Sequence, residues 1–390
     1  MTNFNILILD AAQRSALAVT RSLGQHHNLH ITTAEAAPAA LAGKSRYSNE
    51  YLCCPSAEHQ PQAFIDWISR LQSERQFDLV LPVTEITSQL ILMNQDKLAL
   101  PTAFADYPVV MQLADKHRLM QLADSLQVPT PKWRFYSSLG ALNQQEIQYP
   151  CVIKPALSRL YLDDHWQATT VGIIRDEDSL QRYLQKNPYL QTTGFMLQEF
   201  IPGHGAGVFC LYNRGQPITF FAHKRLREKP PQGGVSVLSE SQTVDPTLQS
   251  LAEKLLTSAH WHGVAMVEFR ISPEGTPYLM EINTRFWGSL QLSIDSGINF
   301  PWLLVAQTLQ LPHEIPGSYK VGQRLRWLLG DFDSLYLYWK SSESLLKKIK
   351  RSLDFLWPGF FTTRYEINRW SDLKPALFEL KQYLAALRGH

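Results

Sequence analysis

Val264-Ala265-Met266-Val267-Glu268-Phe269-Arg270 is followed, across Ser272-Pro273-Glu274-Gly275-Thr276, by Tyr278-Leu279-Met280-Glu281-Ile282-Asn283-Thr284-Arg285. Both runs have strand composition and the segment between them has turn composition, which predicts an antiparallel hairpin. Side chains two apart on a strand share a face, so Glu281, Asn283 and Arg285 stand together. A four-residue loop over 273–276 sets Ser272 opposite Pro277 and, counting back, Glu268 opposite Glu281. Like charges directly opposite repel, and a fold that keeps them at neutral pH normally supplies a cation between them. Magnesium is the natural choice, with manganese as a substitute, because it takes one or two carboxylates and completes its shell with phosphate and water. Asn283 adds a neutral oxygen. The plainer alternative is a solvent-facing hairpin whose acids only keep it soluble; the apolar richness of both runs favours a site.

Two further segments lie upstream. Tyr149-Pro150-Cys151-Val152-Ile153-Lys154-Pro155 is an apolar strand ending in a lysine fixed by proline, where a point charge can hold a phosphate. A lysine snorkelling at a strand end is the commoner fate of such a residue. Phe195-Met196-Leu197-Gln198-Glu199-Phe200-Ile201-Pro202-Gly203 is a second apolar strand, broken at a proline-glycine turn just after an acid.

Toward the N-terminus, β-rich runs alternate with helical patterns as a parallel α/β layer requires: strands at 6–9, 31–34 and 79–81, with a helix over 15–23. The turn after the first strand, Asp10-Ala11-Ala12-Gln13-Arg14-Ser15, lacks glycine, so its backbone cannot approach a pyrophosphate and nicotinamide binding is rejected. A helix over 115–126 stops at Val128-Pro129-Thr130-Pro131 and marks a second domain. The region from about 149 to 312 reads as α+β, and the remainder is helical, aromatic and basic.

Composition narrows the class. The 390 residues are 45% hydrophobic and 18% charged, enough for two or three compact domains. Thirty-seven basic against 35 acidic residues give a net charge of +2 and no overall field for nucleic acid. Cys53, Cys54, Cys151 and Cys210 form neither a metal-binding nor a disulfide pattern, which fits a reducing cytoplasm. The N-terminal apolar run is too short for a membrane span and lacks a basic signal flank.

In this order and spacing the segments resemble the ATP-grasp superfamily, in particular the ligases similar to the carbamoyl-phosphate synthetase large subunit, over about residues 1–312. The resemblance implies a Rossmann-like pre-ATP-grasp domain at 1–112, a small ATP-grasp lobe at 113–196, a large lobe with the metal site at 197–315, and a helical extension at 316–390. It implies that Lys116, in the entry motif Asp115-Lys116, and Lys154 reach the ATP phosphates. Gln198, Glu199, Phe200 and Ile201 fall on the adenine hinge, Glu268, Glu281 and Asn283 on the metal ligands, and Arg285 on the arginine that steadies the transferred phosphate.

Such a chain joins a carboxylate to an amine, or to a similar nucleophile such as a thiol, through an acyl phosphate, releasing ADP and phosphate. Phosphorylation of a hydroxyl is the nearest enzymatic alternative, and an ATP-binding regulator without turnover is the alternative of another class. The segment 156–166 has no glycine where many relatives place a phosphate-covering loop, which leaves Ser158 or Arg159 to substitute. Gly203-His204-Gly205-Ala206-Gly207 stands where relatives often place a ribose-binding acid, which leaves Glu199.

Arg225 and Arg227, alternating ahead of Gly233-Gly234, are expected on one face of a strand as a site for the carboxylate or acyl phosphate; a basic solvated loop is the plainer reading. Leu345, Leu346, Ile349, Leu353, Leu356 and Trp357 recur at helical spacing among Lys347, Lys348, Lys350 and Arg351, ahead of Pro358-Gly359-Phe360-Phe361. Packing on the protein is the expected fate of that stripe, and contact with an anionic membrane is the alternative. The partners expected are small molecules, and neither the carboxylate, the nucleophile nor the oligomeric state is legible.

Overall fold

The computed structural model describes residues 3–388 apart from Asp163, Gln232, Pro358, Phe360 and Phe361. Its contacts divide the chain into two units, each discontinuous in sequence. The first comprises Met1–Phe104, Ile218–Val244 and Arg285–His390; the second comprises Ala105–Pro217 and Asp245–Thr284. The consecutive segments read from the sequence are therefore interleaved between the units, because strands distant along the chain pair with one another.

In the first unit, strands Phe4–Ile8, Leu29–Glu35, Glu50–Cys53 and Leu79–Leu81 form a parallel sheet in which Phe4–Ile8 lies between Leu29–Glu35 and Leu79–Leu81. Ile6, Leu7 and Ile8 are fully buried, as a central parallel strand covered on both faces demands. The glycine-free turn after them is built around Asp10, whose carboxylate accepts from the Val83 and Thr84 amides at 2.8 Å and from Thr87 Oγ1 at 2.6 Å.

The C-terminal segment belongs to the same unit. Arg21, on the buried helix Arg14–Leu23, donates to Asp372 at 2.8 Å and to the carbonyls of Glu366 and Ile367. Ser45 Oγ reaches the same carboxylate at 2.7 Å. Burial of the Arg21 guanidinium lowers its pKa, and Asp372 opposes that shift. The segment is not wholly helical, a correction to the sequence reading. Arg324–Arg326 pairs with Val235–Gln242 and with Thr363–Tyr365, since a three-residue strand offers no periodicity to read.

The second unit holds two ladders. Trp133–Tyr136, Phe195–Glu199, Cys151–Pro155 and Gly172–Ile174 form a four-stranded antiparallel sheet. Cys151, Ile153 and Phe195 pack from one of its faces into an apolar core with Leu180 and Leu190. The other ladder sets Gly263–Ile271 between His204–Asn213 and Pro277–Asn283. Gly203 makes the turn into it at φ +127°, where a Cβ would lie 1.9 Å from the Ile271 carbonyl oxygen, so only glycine fits.

Candidate active site

The hairpin loop is one residue longer than the sequence count supposes: Ile271, not Ser272, faces Pro277. A bulge at Met280 then adds a residue to the second strand, and Glu268 stands opposite Glu281 after all. Asn283 bridges the two acids, its Nδ2 3.0 Å from Glu268 Oε1 and 3.4 Å from Glu281 Oε1. An amide donor thus occupies the space between two carboxylates. A half-turn of that amide presents Oδ1 there instead, which makes the trio an oxygen set suited to magnesium. Among the described residues no group of three His, Cys, Asp or Glu side chains gathers to hold a metal. A two-carboxylate set leaves the rest of an octahedral shell to phosphate and water.

Two lysines converge on this cluster. Asp115 caps the helix Lys116–Ser125 by accepting from the His117 and Arg118 amides, which places Lys116 in the first turn. Lys116 is 4% exposed, and its Nζ lies 3.0 Å from Ser158 Oγ and 3.7 Å from Glu281 Oε2. Lys154 is 8% exposed and points at Met280, with Nζ 3.6 Å from the sulfur. Its burial lowers the ammonium pKa to about 8; Glu281 and Glu268 raise it, while Lys116 lowers it further. The lysine named from a strand end is therefore no snorkelling side chain. Met280 was not legible as a neighbour, because the bulge that presents it leaves no mark in the sequence.

Register extends the site along the sheet. Met196 faces Lys154 and Gln198 faces Val152, so these four side chains share one face of the sheet. Gln198 is 2% exposed and its Nε2 has no hydrogen-bond partner. Such an orphaned donor is costly unless a ligand takes it up. A cavity of about 860 Å³ opens beside Gln198, Glu199 and Phe200, lined also by Trp133, Arg134 and Tyr149. It does not include the lysines or the acids. Ile201 presents its carbonyl to Arg270 Nε at 3.2 Å, fixing the segment after the strand. The glycine-free segment after Lys154 forms a hairpin, Arg159–Leu162 with His165–Ala168, whose turn contains Asp163, outside the described residues.

Arg225 and Arg227 do not share a face, which corrects the alternation read from sequence. The register shifts at Leu226, so Arg225 faces Ser239 and Arg227 faces Leu238. Arg225 pairs with Glu228 at 3.2 Å, whereas Arg227 lies 2.8 Å from the fully buried Asp331. Arg326 and Arg351 reach the same carboxylate at 2.7 and 2.6 Å. Burial lowers the Arg227 pKa to about 10 despite Asp331. Arg227 is thus committed to a structural cluster and is not presented to a substrate. Asp331→Ala is expected to destabilise the protein by about 3 to 5 kcal/mol, because three guanidinium groups lose their common anion. A melting temperature equal to wild type would show the cluster to be dispensable. Arg285 follows the Pro277–Asn283 strand and donates to the Phe286 carbonyl at 2.9 Å.

The family described as "ATP-grasp in the biosynthetic pathway with Ter operon" matches residues 191–330. An L-amino acid ligase from Bacillus licheniformis superposes with a TM-score of 0.63 at 18% identity, covering 81% of this chain and 78% of that one. The biotin carboxylase of Campylobacter jejuni, solved as its beta-gamma-ATP complex, superposes at 0.64 with 16% identity, covering 82% and 74%. The chain has the ATP-grasp fold. By sequence this chain is 24% identical over 204 residues to a D-alanine–D-alanine ligase of Aquifex aeolicus, 49% of this chain and 66% of that one. The match spans just under two-thirds of that relative's length.

Proposed function

We propose that the protein is an ATP-dependent ligase that activates a carboxylate as an acyl phosphate and joins it to an amine or a thiol. One observation carries this reading: Lys116, Lys154, Glu268, Glu281 and Asn283, from four separate elements, meet in one cluster of two cations, two carboxylates and an amide. The names of the relatives, a D-alanine–D-alanine ligase and an L-amino acid ligase, support amino acids as the first substrates to try.

In this reading Gln198 and the main chain of Glu199, Phe200 and Ile201 hold the adenine, and the orphaned Gln198 amide finds its acceptor on the base. Lys116 and Lys154 grip phosphate oxygens, and Arg285 steadies the phosphoryl group in flight. Glu268, Glu281 and Asn283 would hold magnesium, which when bound neutralises phosphate charge. A substrate carboxylate oxygen attacks the γ-phosphorus and the bond to ADP breaks. Preorganised cations meet the charge that develops, the main catalysis open to phosphoryl transfer. The amine then attacks the acyl carbon and phosphate leaves. With ATP as co-substrate, the reaction belongs in the cytoplasm.

Incubation with ATP, magnesium and pooled amino acids, with hydroxylamine as a trap, is expected to yield ADP, phosphate and a hydroxamate. In the absence of the trap, a product with the summed mass of two substrates less water should form. AMP and pyrophosphate, or a phosphorylated hydroxyl without hydroxamate, would overturn the acyl-phosphate route.

A further inference from the structure

The helix Leu345–Leu356 was expected to bury its apolar stripe against the protein, and it does the reverse. It packs through its other flank. Arg351 reaches Asp331, Ser352 Oγ accepts from Trp339 Nε1 at 3.0 Å, and Phe355 meets Phe332 edge-on beneath the Arg326 guanidinium. The stripe faces solvent: Leu345 is 63% exposed, Leu346 80%, Ile349 45%, Leu353 60%, Leu356 67% and Trp357 74%. No residue of this helix is buried. Contiguous apolar surface of this kind on a folded protein marks a contact site.

Charge selects the occupant. At 100° per residue the stripe runs from Leu345 to Trp357 across about a third of the circumference, with Lys350 next to its Trp357 side, whereas Lys348 is half-buried on the packing flank between Phe355 and Ser352. Lys347 is held by Glu343 and Arg351 by Asp331. Among the described residues no ion pair engages Lys348 or Lys350. Asp354, the helix's one acid, lies behind the stripe, with its carbonyl near Arg227. A second copy of this face would set lysines against lysines. An anionic lipid surface accepts both the apolar stripe and its basic border, with tryptophan at the interface level. Twelve residues make a helix about 18 Å long, which lies in the interface. Among the described residues no helix is long and apolar enough to cross a membrane. Pro358, Phe360 and Phe361, which follow, lie outside the described residues.

We propose that this helix seats the protein on an anionic membrane surface, its leucines in the acyl boundary and Lys350 against lipid phosphates. The full chain should co-sediment with phosphatidylcholine vesicles containing phosphatidylglycerol and not with phosphatidylcholine alone. Leu346→Glu with Leu353→Glu should abolish binding without lowering the melting temperature, since both side chains are exposed. Lys350→Gln should weaken it about fivefold, the worth of one charge near such a surface. Failure to bind anionic vesicles, or binding indifferent to both sets of substitutions, overturns the proposal. A dimer seen by sedimentation velocity and lost in the leucine variant, with no vesicle binding, would overturn it in favour of a second copy.

Discussion

Glu281→Gln is expected to lower ATP turnover by about a hundredfold to a thousandfold while leaving the melting temperature close to wild type. Glu281 stands at the junction of the cluster: it opposes Glu268, lies 3.4 Å from Asn283 Nδ2 and 3.7 Å from Lys116 Nζ. The amide keeps its shape and removes the charge, so the loss should fall on the cation set and the phosphates. Stability changes little, because the lost attraction to Lys116 is offset by relief of repulsion from Glu268. Asn283→Ala should behave alike, and the deficit in both should deepen as magnesium becomes limiting. If both variants keep wild-type ADP release at limiting magnesium, the metal assignment is wrong.

Lys154→Met separates stability from function. Its ammonium is buried, and burial holds its pKa near 8 against an ordinary 10.5. The unfolded chain therefore binds this proton more tightly than the folded one. The folded state bears a cost of on the order of 3 kcal/mol below pH 8, and stability recovers as pH rises from about 8 toward 10.5. Methionine removes that cost, so the variant should melt at or above the wild-type temperature and lose the pH-dependent gain. ATP binding or phosphoryl transfer should fall by at least about tenfold, the worth of a charge-assisted contact. In the wild type, ATP affinity should decline as pH rises through about 8, where the free lysine loses its charge. Unchanged affinity and turnover in Lys154→Met would return the residue to a purely structural role.

The chemistry-bearing residues were legible because strand chemistry is local. Alternation placed Glu281 with Asn283, proline fixed the end of the Lys154 strand, and the Asp115 cap announced the helix that carries Lys116. Glu268 and Glu281 were paired correctly through two compensating departures, a loop one residue longer and a bulge at Met280. Neither departure was visible, since a bulge depends on the backbone of the partner strand and not on the residue inserted. The same blindness misplaced Arg227: a shift at Leu226 turned it toward Asp331.

By itself the sequence determined the parallel layer at the N-terminus, the hairpin of acids, the lysines at 116 and 154 as candidates and the amphipathic character of Leu345–Leu356. Tertiary structure alone decided that Lys116 reaches Glu281 while the buried Lys154 lies in the field of Glu281 and Glu268, that Gln198 is left with an unmatched donor, and that the C-terminal segment shares a unit with the first strands. It also decided which side of the amphipathic helix faces the protein. Periodicity states that a helix has two faces; which one is buried depends on the partners available. There the fully buried Asp331, shared by Arg227 and Arg326, also holds Arg351, and the leucines are left to solvent.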